Sequence, residues 1–182
     1  RRITVTGSRR VVVFGSLNAD ITFEVPRIPV SGETVVAGAV RRAPGGKGAN
    51  QAHAAARTAH DVTVMMAGAV GDDEAGSGLR EDLARVGVDV SNVRRSPGES
   101  GMAMIAVDRG GDNIIVVAPG ANHRWPELPE VPVAPGDVLV LQLELPLHVV
   151  EHVARIGRAA GARVVLNAAP ATGEARRLLG SV

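Results

Sequence analysis

Val11-Val12-Val13-Phe14-Gly15, running on into Ser16-Leu17-Asn18-Ala19-Asp20, is the stretch that decides the fold. An apolar run this short, ending on glycine, suits a parallel strand buried on both faces, where residues need not alternate. Polar residues directly after it suit the carboxyl end of such a strand, where open α/β sheets collect their ligands. Three further runs read the same way: residues 62–67, residues 138–143 and Val164-Val165-Leu166-Asn167. Helical segments lie between them. An alanine-rich helix spans about residues 48–59. Leu79, Leu83 and Val86 share a face of a second helix, with Asp72, Asp73 and Glu74 at its start, where the helix dipole favours acids. Val149, Val153 and Ile156 share a face of a third, which opens near Pro146 and stops at Gly161. Core strands alternating with helices predict an α/β fold with a doubly wound, mainly parallel sheet and right-handed crossovers, a Rossmann-like three-layer arrangement.

Two pairs of segments break that alternation. Residues 21–25 and 34–40 read as short, more exposed strands separated by Pro26, Pro29 and Gly32. Gly101–Val107 and Asn113–Ala118 flank Asp108-Arg109-Gly110-Gly111, an antiparallel hairpin with a glycine turn. These strands, from within about residues 20–43 and 99–118, are expected to form a small β-layer projecting from the sheet. The proline-rich residues 124–136 are expected to be a surface connection. The 182 residues contain no repeat and no long linker, which predicts one domain over residues 1–182.

Composition narrows the classes of function. Hydrophobic content of 45% supports a core, and aromatic content of 2% means it is built from Val, Ala, Leu and Ile. A net charge of +1 supplies no basic field to attract nucleic acid. The lack of cysteine excludes disulfides and thiolate metal sites and fits a reducing cytoplasm. No apolar run approaches the roughly 20 residues of a membrane span, and no signal-peptide core follows the basic first residues. The expectation is a soluble, cytoplasmic protein without nucleic-acid or membrane partners.

Of the 20 basic residues only Lys47 is lysine, and it sits in Ala43-Pro44-Gly45-Gly46-Lys47-Gly48-Ala49-Asn50. Lysine is a compact, flexible point charge, whereas arginine is a planar fork. The run fails as a Walker loop, because Lys47 is followed by Gly48 and not by a hydroxyl residue. It fails as a dinucleotide fingerprint, because Gln51 stands where the third glycine is needed and no core strand directly precedes it. What remains is a loop that a ligand can approach closely, leading into a helix whose first N–H groups are expected to be free. Those donors, with Lys47 and Asn50, suit anions or hydroxyls. Asn18 and Asp20 follow the first strand and Glu144 follows the third. Each alone is no more than a turn cap or a solvated strand end. Together, acceptors Asp20 and Glu144 beside the loop suit a neutral polyol better than a phosphate.

At this point the residues resemble a family. Gly15-Ser16-Leu17-Asn18-Ala19-Asp20 and Gly45-Gly46-Lys47-Gly48-Ala49-Asn50-Gln51-Ala52 resemble the ribokinase members of the ribokinase/PfkB carbohydrate kinases. The likeness continues through Gly71-Asp72-Asp73, Gly111-Asp112-Asn113-Ile114, Pro119-Gly120-Ala121-Asn122 and Gln142-Leu143-Glu144. It reaches Leu166-Asn167-Ala168-Ala169-Pro170-Ala171, where the family usually has proline in place of Ala168. The resemblance implies a ribokinase-like fold and transfer of the ATP γ-phosphoryl group to the 5-hydroxyl of D-ribose, with Mg²⁺ and K⁺. It implies that Asn18, Asp20, Gly46, Lys47, Gly48, Asn50 and Glu144 lie at the sugar. It further implies that the projecting β-layer is a lid and homodimer contact, with Ala103 and Ile115 facing the sugar.

The same resemblance implies a catalytic Gly-Ala-Gly-Asp motif, and the sequence contains none. Catalytic residues and the ATP, Mg²⁺ and K⁺ sites are therefore expected outside these residues. The chain is expected to be a sugar-binding and lid part, inactive when isolated. A kinase for another sugar or nucleoside (fructose, deoxyribose or adenosine), or a non-catalytic sugar-binding or dimerisation module, are the alternatives. A nicotinamide-dependent enzyme is disfavoured by the failed fingerprint.

Overall fold

The computed structural model describes residues 10–58, 61–171, 173 and 178. The elements in chain order are β1 (Arg10–Phe14), β2 (Asn18–Glu24), β3 (Ala39–Gly45), α1 (Lys47–Thr58), β4 (Thr63–Gly71), α2 (Glu74–Arg85), β5 (Asp89–Ser96), β6 (Gly101–Val107) and β7 (Asn113–Ala118). A short 3₁₀ turn at Gly120–His123 follows, then β8 (Val138–Gln142), α3 (Leu147–Ala159) and β9 (Arg163–Asn167).

Five strands form one sheet in the order β5-β4-β1-β8-β9, and every pairing in it is parallel. Strand residues alternate faces, so the valine run of β1 feeds two cores. Val12 and Phe14 pack with Leu139, Leu141, Val149 and Val153 beneath α3. Val13 packs with Leu17, Ala52, Val64, Met66, Leu79 and Leu83 beneath α1 and α2. This is the three-layer α/β arrangement expected from the continuous apolar runs. β1 lies between β4 and β8, so the chain leaves it first toward one sheet edge and later continues on the other side. The crevice at the carboxyl ends of β1 and β8 is therefore a topological switch point.

A second, mixed sheet has the order β3-β2-β6-β7. Its hairpin, β6 and β7, has the bounds expected from sequence. Two features were not legible. β2 pairs with β6 in parallel, from Asn18↔Gly101 to Glu24↔Val107. β3 begins at Ala39, not at residue 34, and runs to Gly45 because it pairs with β2 from Asn18↔Gly45 to Glu24↔Ala39. Pro44 is tolerated inside it because β3 is an edge strand.

The main sheet also departs from expectation. β4 continues beyond residue 67 to Gly71, buried along that length, because β5 pairs with it from Ala67↔Asn92 to Gly71↔Ser96. β5 itself was missed: its sequence, DVSNVRRS, is polar, as an edge strand allows. The proline-rich connection is not wholly superficial. Val131 is buried in the core under α3, and Trp125 packs against Phe14 with ring centroids 5.4 Å apart. Asp137 holds its far end, accepting from Arg10 at 2.6 Å and from the Ala134 N–H at 2.8 Å.

Candidate functional site

The turn from β1 to β2 and the loop from β3 into α1 are pressed together. Gly46 adopts φ +90°, and a side chain there would put a Cβ 2.8 Å from the Ser16 carbonyl oxygen and 2.9 Å from Asn18 N. Gly48 is equally confined, with a Cβ position 2.7 Å from backbone atoms of Gly15 and Ser16. The glycines therefore serve close backbone packing between two loops distant in sequence.

Glu144, just after β8, locks that packing. Its Oε2 accepts from Ser16 Oγ at 2.6 Å and from the Lys47 N–H at 2.8 Å, while Oε1 lies 3.5 Å from Lys47 Nζ. Ser16 Oγ also accepts from the Gly48 N–H at 3.3 Å. The Ala49 N–H donates to the Ser16 carbonyl at 3.0 Å and the Asn50 N–H to the Gly46 carbonyl at 2.9 Å. The expectation of free N–H groups at the start of α1 is thus corrected. Lys47, Gly48, Ala49 and Asn50 all spend them within the fold, so this helix start is no phosphate cradle. The first turn of α1 therefore offers a ligand the side chains of Lys47 and Asn50, not its N–H groups.

Asp20 is the most telling of the candidate site residues. Its Oδ1 is buried and has no hydrogen-bond partner among the described residues. An unmet buried acceptor costs about 1–3 kcal/mol, so Oδ1 calls for a donor from outside the described residues. Burial raises the pKa of this carboxyl above the ordinary aspartate value and the negative charge of Glu144 raises it further, while the Lys47 ammonium partly opposes both. Asp20 therefore senses the charges of both Lys47 and Glu144. Asp20 also lines a groove of about 620 Å³ between the second sheet and α2, with Ala19, Ile21, Leu79 and Met102. Lys47 and Glu144 do not line that groove.

Of the other residues singled out by sequence, Asn18 is buried with its Oδ1 2.8 Å from Asn122 Nδ2, and Asn50 is exposed on the first turn of α1. Ala103 pairs with Asp20 across β2 and β6 and is 6% exposed. Ile115 lies two rows further out, paired with Ile105, and is 56% exposed. By strand alternation both share the sheet face of Asp20.

Sequence reasoning missed three supports. Ser16 bridges Glu144 and Gly48. Asn122 joins the β1–β2 turn to the residues following β7. Gln142 lies over Gly15, donating to the Phe14 carbonyl at 3.2 Å and to Gln51 Oε1 at 2.7 Å. All three stand in the quoted motifs, and that placement was the available signal. Among the described residues no group of three or more His, Asp or Glu is placed to hold a metal ion. No described helix is long and apolar enough to cross a membrane.

A two-sheet α/β chain with polar side chains gathered at its switch point defines a class, and comparison with known proteins names it. Residues 8–182 match the family described as pfkB family carbohydrate kinase, and the chain belongs to that family. It is 39% identical over 168 residues to the ribokinase of Haemophilus influenzae, covering 90% of this chain and 54% of that protein. Its fold matches the crystal structure of ribokinase from Cryptococcus neoformans var. grubii serotype A in complex with ADP, with a TM-score of 0.82 and 32% identity over 94% of this chain and 53% of that one. It also matches the Arabidopsis thaliana ribokinase complexed with ribose and ATP, with a TM-score of 0.76 and 31% identity over 90% of this chain and 54% of that one. The chain thus spans about half the length of the curated relatives it matches.

Proposed function

We propose that this chain supplies the sugar-binding part of an ATP-dependent carbohydrate kinase whose substrate is D-ribose, phosphorylated at its 5-hydroxyl. The observation that carries the reading is Asp20 Oδ1, buried without a hydrogen-bond partner among the described residues and within electrostatic reach of the Lys47–Glu144 pair. A hydroxyl donating to that carboxylate contributes roughly 1.5–3 kcal/mol. Asn18, Lys47 and Asn50 are proposed to donate to other hydroxyls, with Gly46 and Gly48 shaping the loop and Glu144 holding it. Such a site rejects an analogue lacking a hydroxyl, because its own polar groups stay unpaired.

The second sheet is proposed to act as a lid, with Ala103 and Ile115 on its sugar side, excluding water from the sugar. Its other face carries exposed Met104 and Val116 and is proposed as a homodimer contact. The start of α1 is not proposed to cradle a nucleotide phosphate, since its N–H groups are engaged within the fold. ATP, Mg²⁺, K⁺ and the catalytic base are proposed to be held by residues other than 1–182, and the isolated chain is proposed to be inactive and cytoplasmic.

The test is a substrate panel on the intact protein. A kcat/KM for ribose above that for fructose, deoxyribose and adenosine is expected, and a higher value for any of these would replace ribose with it. Calorimetry on the isolated chain addresses the second reading, a non-catalytic sugar-binding or dimerisation module. Ribose binding without turnover by the isolated chain, together with no turnover by the intact protein, would favour it.

A further inference from the structure

Asn122 lies beyond the end of β7 and is 1% exposed. Its amide spans the β1–β2 turn. The Leu17 N–H donates to its Oδ1 at 3.0 Å, and its Nδ2 donates to the Leu17 carbonyl at 3.0 Å and to Asn18 Oδ1 at 2.8 Å. The oxygen and nitrogen of an amide are alike in shape and are told apart by their partners. Here the partners leave one assignment. A backbone N–H can only donate, so the atom facing Leu17 N is the Asn122 oxygen. The other atom is then nitrogen, which agrees with its contact to the Leu17 carbonyl, a pure acceptor. Its second proton meets the Asn18 amide, so the Asn18 atom there is oxygen. The remaining polar atom of Asn18 is Nδ2, a donor.

Asn18 and Asp20 stand two residues apart on β2 and therefore share a face. Three roots of the second sheet meet at this point: Asn18 opens β2, Gly101 opens β6 and Asn122 follows β7. A Cβ on Gly101 would fall 2.1 Å from Asn122 Nδ2 and 2.3 Å from Asn18 Oδ1, so glycine is required for the amides to meet.

We infer that Asn122 is a positioning residue that fixes the Asn18 amide, so that the site offers a donor from Asn18 beside an acceptor from Asp20 to two different hydroxyls of one sugar. The inference deepens, and rests on, the sugar reading above. Asn122 itself touches no sugar. Its effect on affinity runs through Asn18.

The test is calorimetric titration of D-ribose into the intact protein as wild type, Asn122→Asp, Asn18→Ala and the double variant. Asn122→Asp keeps an acceptor for the Leu17 N–H but sets an oxygen against both the Leu17 carbonyl, in either background, and Asn18 Oδ1, turning the Asn18 amide round. It is expected to weaken ribose about tenfold or more alone, the worth of one good hydrogen bond. In the Asn18→Ala background it is expected to change affinity by less than about twofold. Equal losses in both backgrounds would make Asn122 merely structural and overturn the inference. Should Asn122→Asp fail to fold, side-chain amide NMR of the wild type decides. Ribose should shift the Asn18 Nδ2 protons and leave those of Asn122 in place, and a still Asn18 in the ribose-bound protein overturns the proposal. A wild type that does not bind ribose sinks the sugar reading and this inference with it, an outcome visible in the first titration alone.

Discussion

Glu144 holds Lys47 twice, taking its backbone N–H on Oε2 at 2.8 Å and standing 3.5 Å from its ammonium with Oε1. The carboxylate thereby fixes the first turn of α1 and aims the lone lysine in one step. Glu144→Ala would strand the Lys47 N–H and free Ser16 Oγ, each a partner of a charged acceptor. Destabilisation of about 2–4 kcal/mol is expected in denaturant melts. Ribose affinity should fall at least about tenfold with it, the equivalent of 1.4 kcal/mol. Unchanged affinity would show that the glycine loop keeps its shape unaided.

The titration of Asp20 should respond to its two charged neighbours in opposite directions. Burial raises its pKa first, Glu144 raises it further and Lys47 lowers it. Lys47→Met should therefore move the Asp20 midpoint up, and Glu144→Gln should move it down, as read by NMR of the Asp20 carboxyl. If Asp20 must be charged to accept a sugar hydroxyl, the acid limb of ribose binding follows the same shifts. Movement of both variants in one direction would mean the three groups are not in one electrostatic neighbourhood.

Asp20→Asn should separate stability from function. The folded-state pKa of Asp20 lies above its ordinary value, so the charged form is disfavoured by folding. Its cost is absent in acid and grows as pH rises through that raised pKa. At neutral pH the amide variant is expected to melt no lower than the wild type while ribose binding is lost. A clearly lower melting temperature would assign the carboxylate a structural role.

Asp73 presents the opposite sign. Burial alone would raise its pKa, but hydrogen bonds from Ser100 Oγ at 2.6 Å, the Ser100 N–H at 2.8 Å and the Gly76 N–H at 2.7 Å outweigh it and hold it below the ordinary value. The carboxylate caps α2 and pins the start of β6. Asp73→Asn should cost about 1–3 kcal/mol at neutral pH, because both carboxylate oxygens accept from donors and an amide nitrogen in either place cannot. Because the folded pKa is lowered, that advantage is fully present above the unfolded value and vanishes as pH falls through the folded one. Melts from pH 7 downward should show the two proteins converging only in acid.

Met104 and Val116 are cross-strand partners, 49% and 58% exposed, on the face of the second sheet opposite Asp20. Sedimentation of the intact protein should give a dimer for the wild type and a monomer for Val116→Asp, since burying an unpaired carboxylate is strongly unfavourable. A dimer that persists would place the contact elsewhere.

The sequence by itself determined the layered core, because continuous apolar runs such as Val11-Val12-Val13 have few ways to be buried other than as inner parallel strands. It also located the hairpin from its turn glycines and α2 from the acids at its start, since both signals are local in the chain. The gathering of Asp20, Lys47 and Glu144 was legible only as motifs. Tertiary structure alone decided how they meet. Polar β5 is a strand because β4 offers it an edge, and β3 begins where β2 dictates. The bonds that build the site join Ser16 to Glu144 across 128 positions and Leu17 to Asn122 across 105. Such contacts leave no period or spacing in the chain. They turned the expected donors at the helix start into structure, which leaves the side chains of Asn18, Asp20 and Lys47 as the groups proposed to meet a ligand.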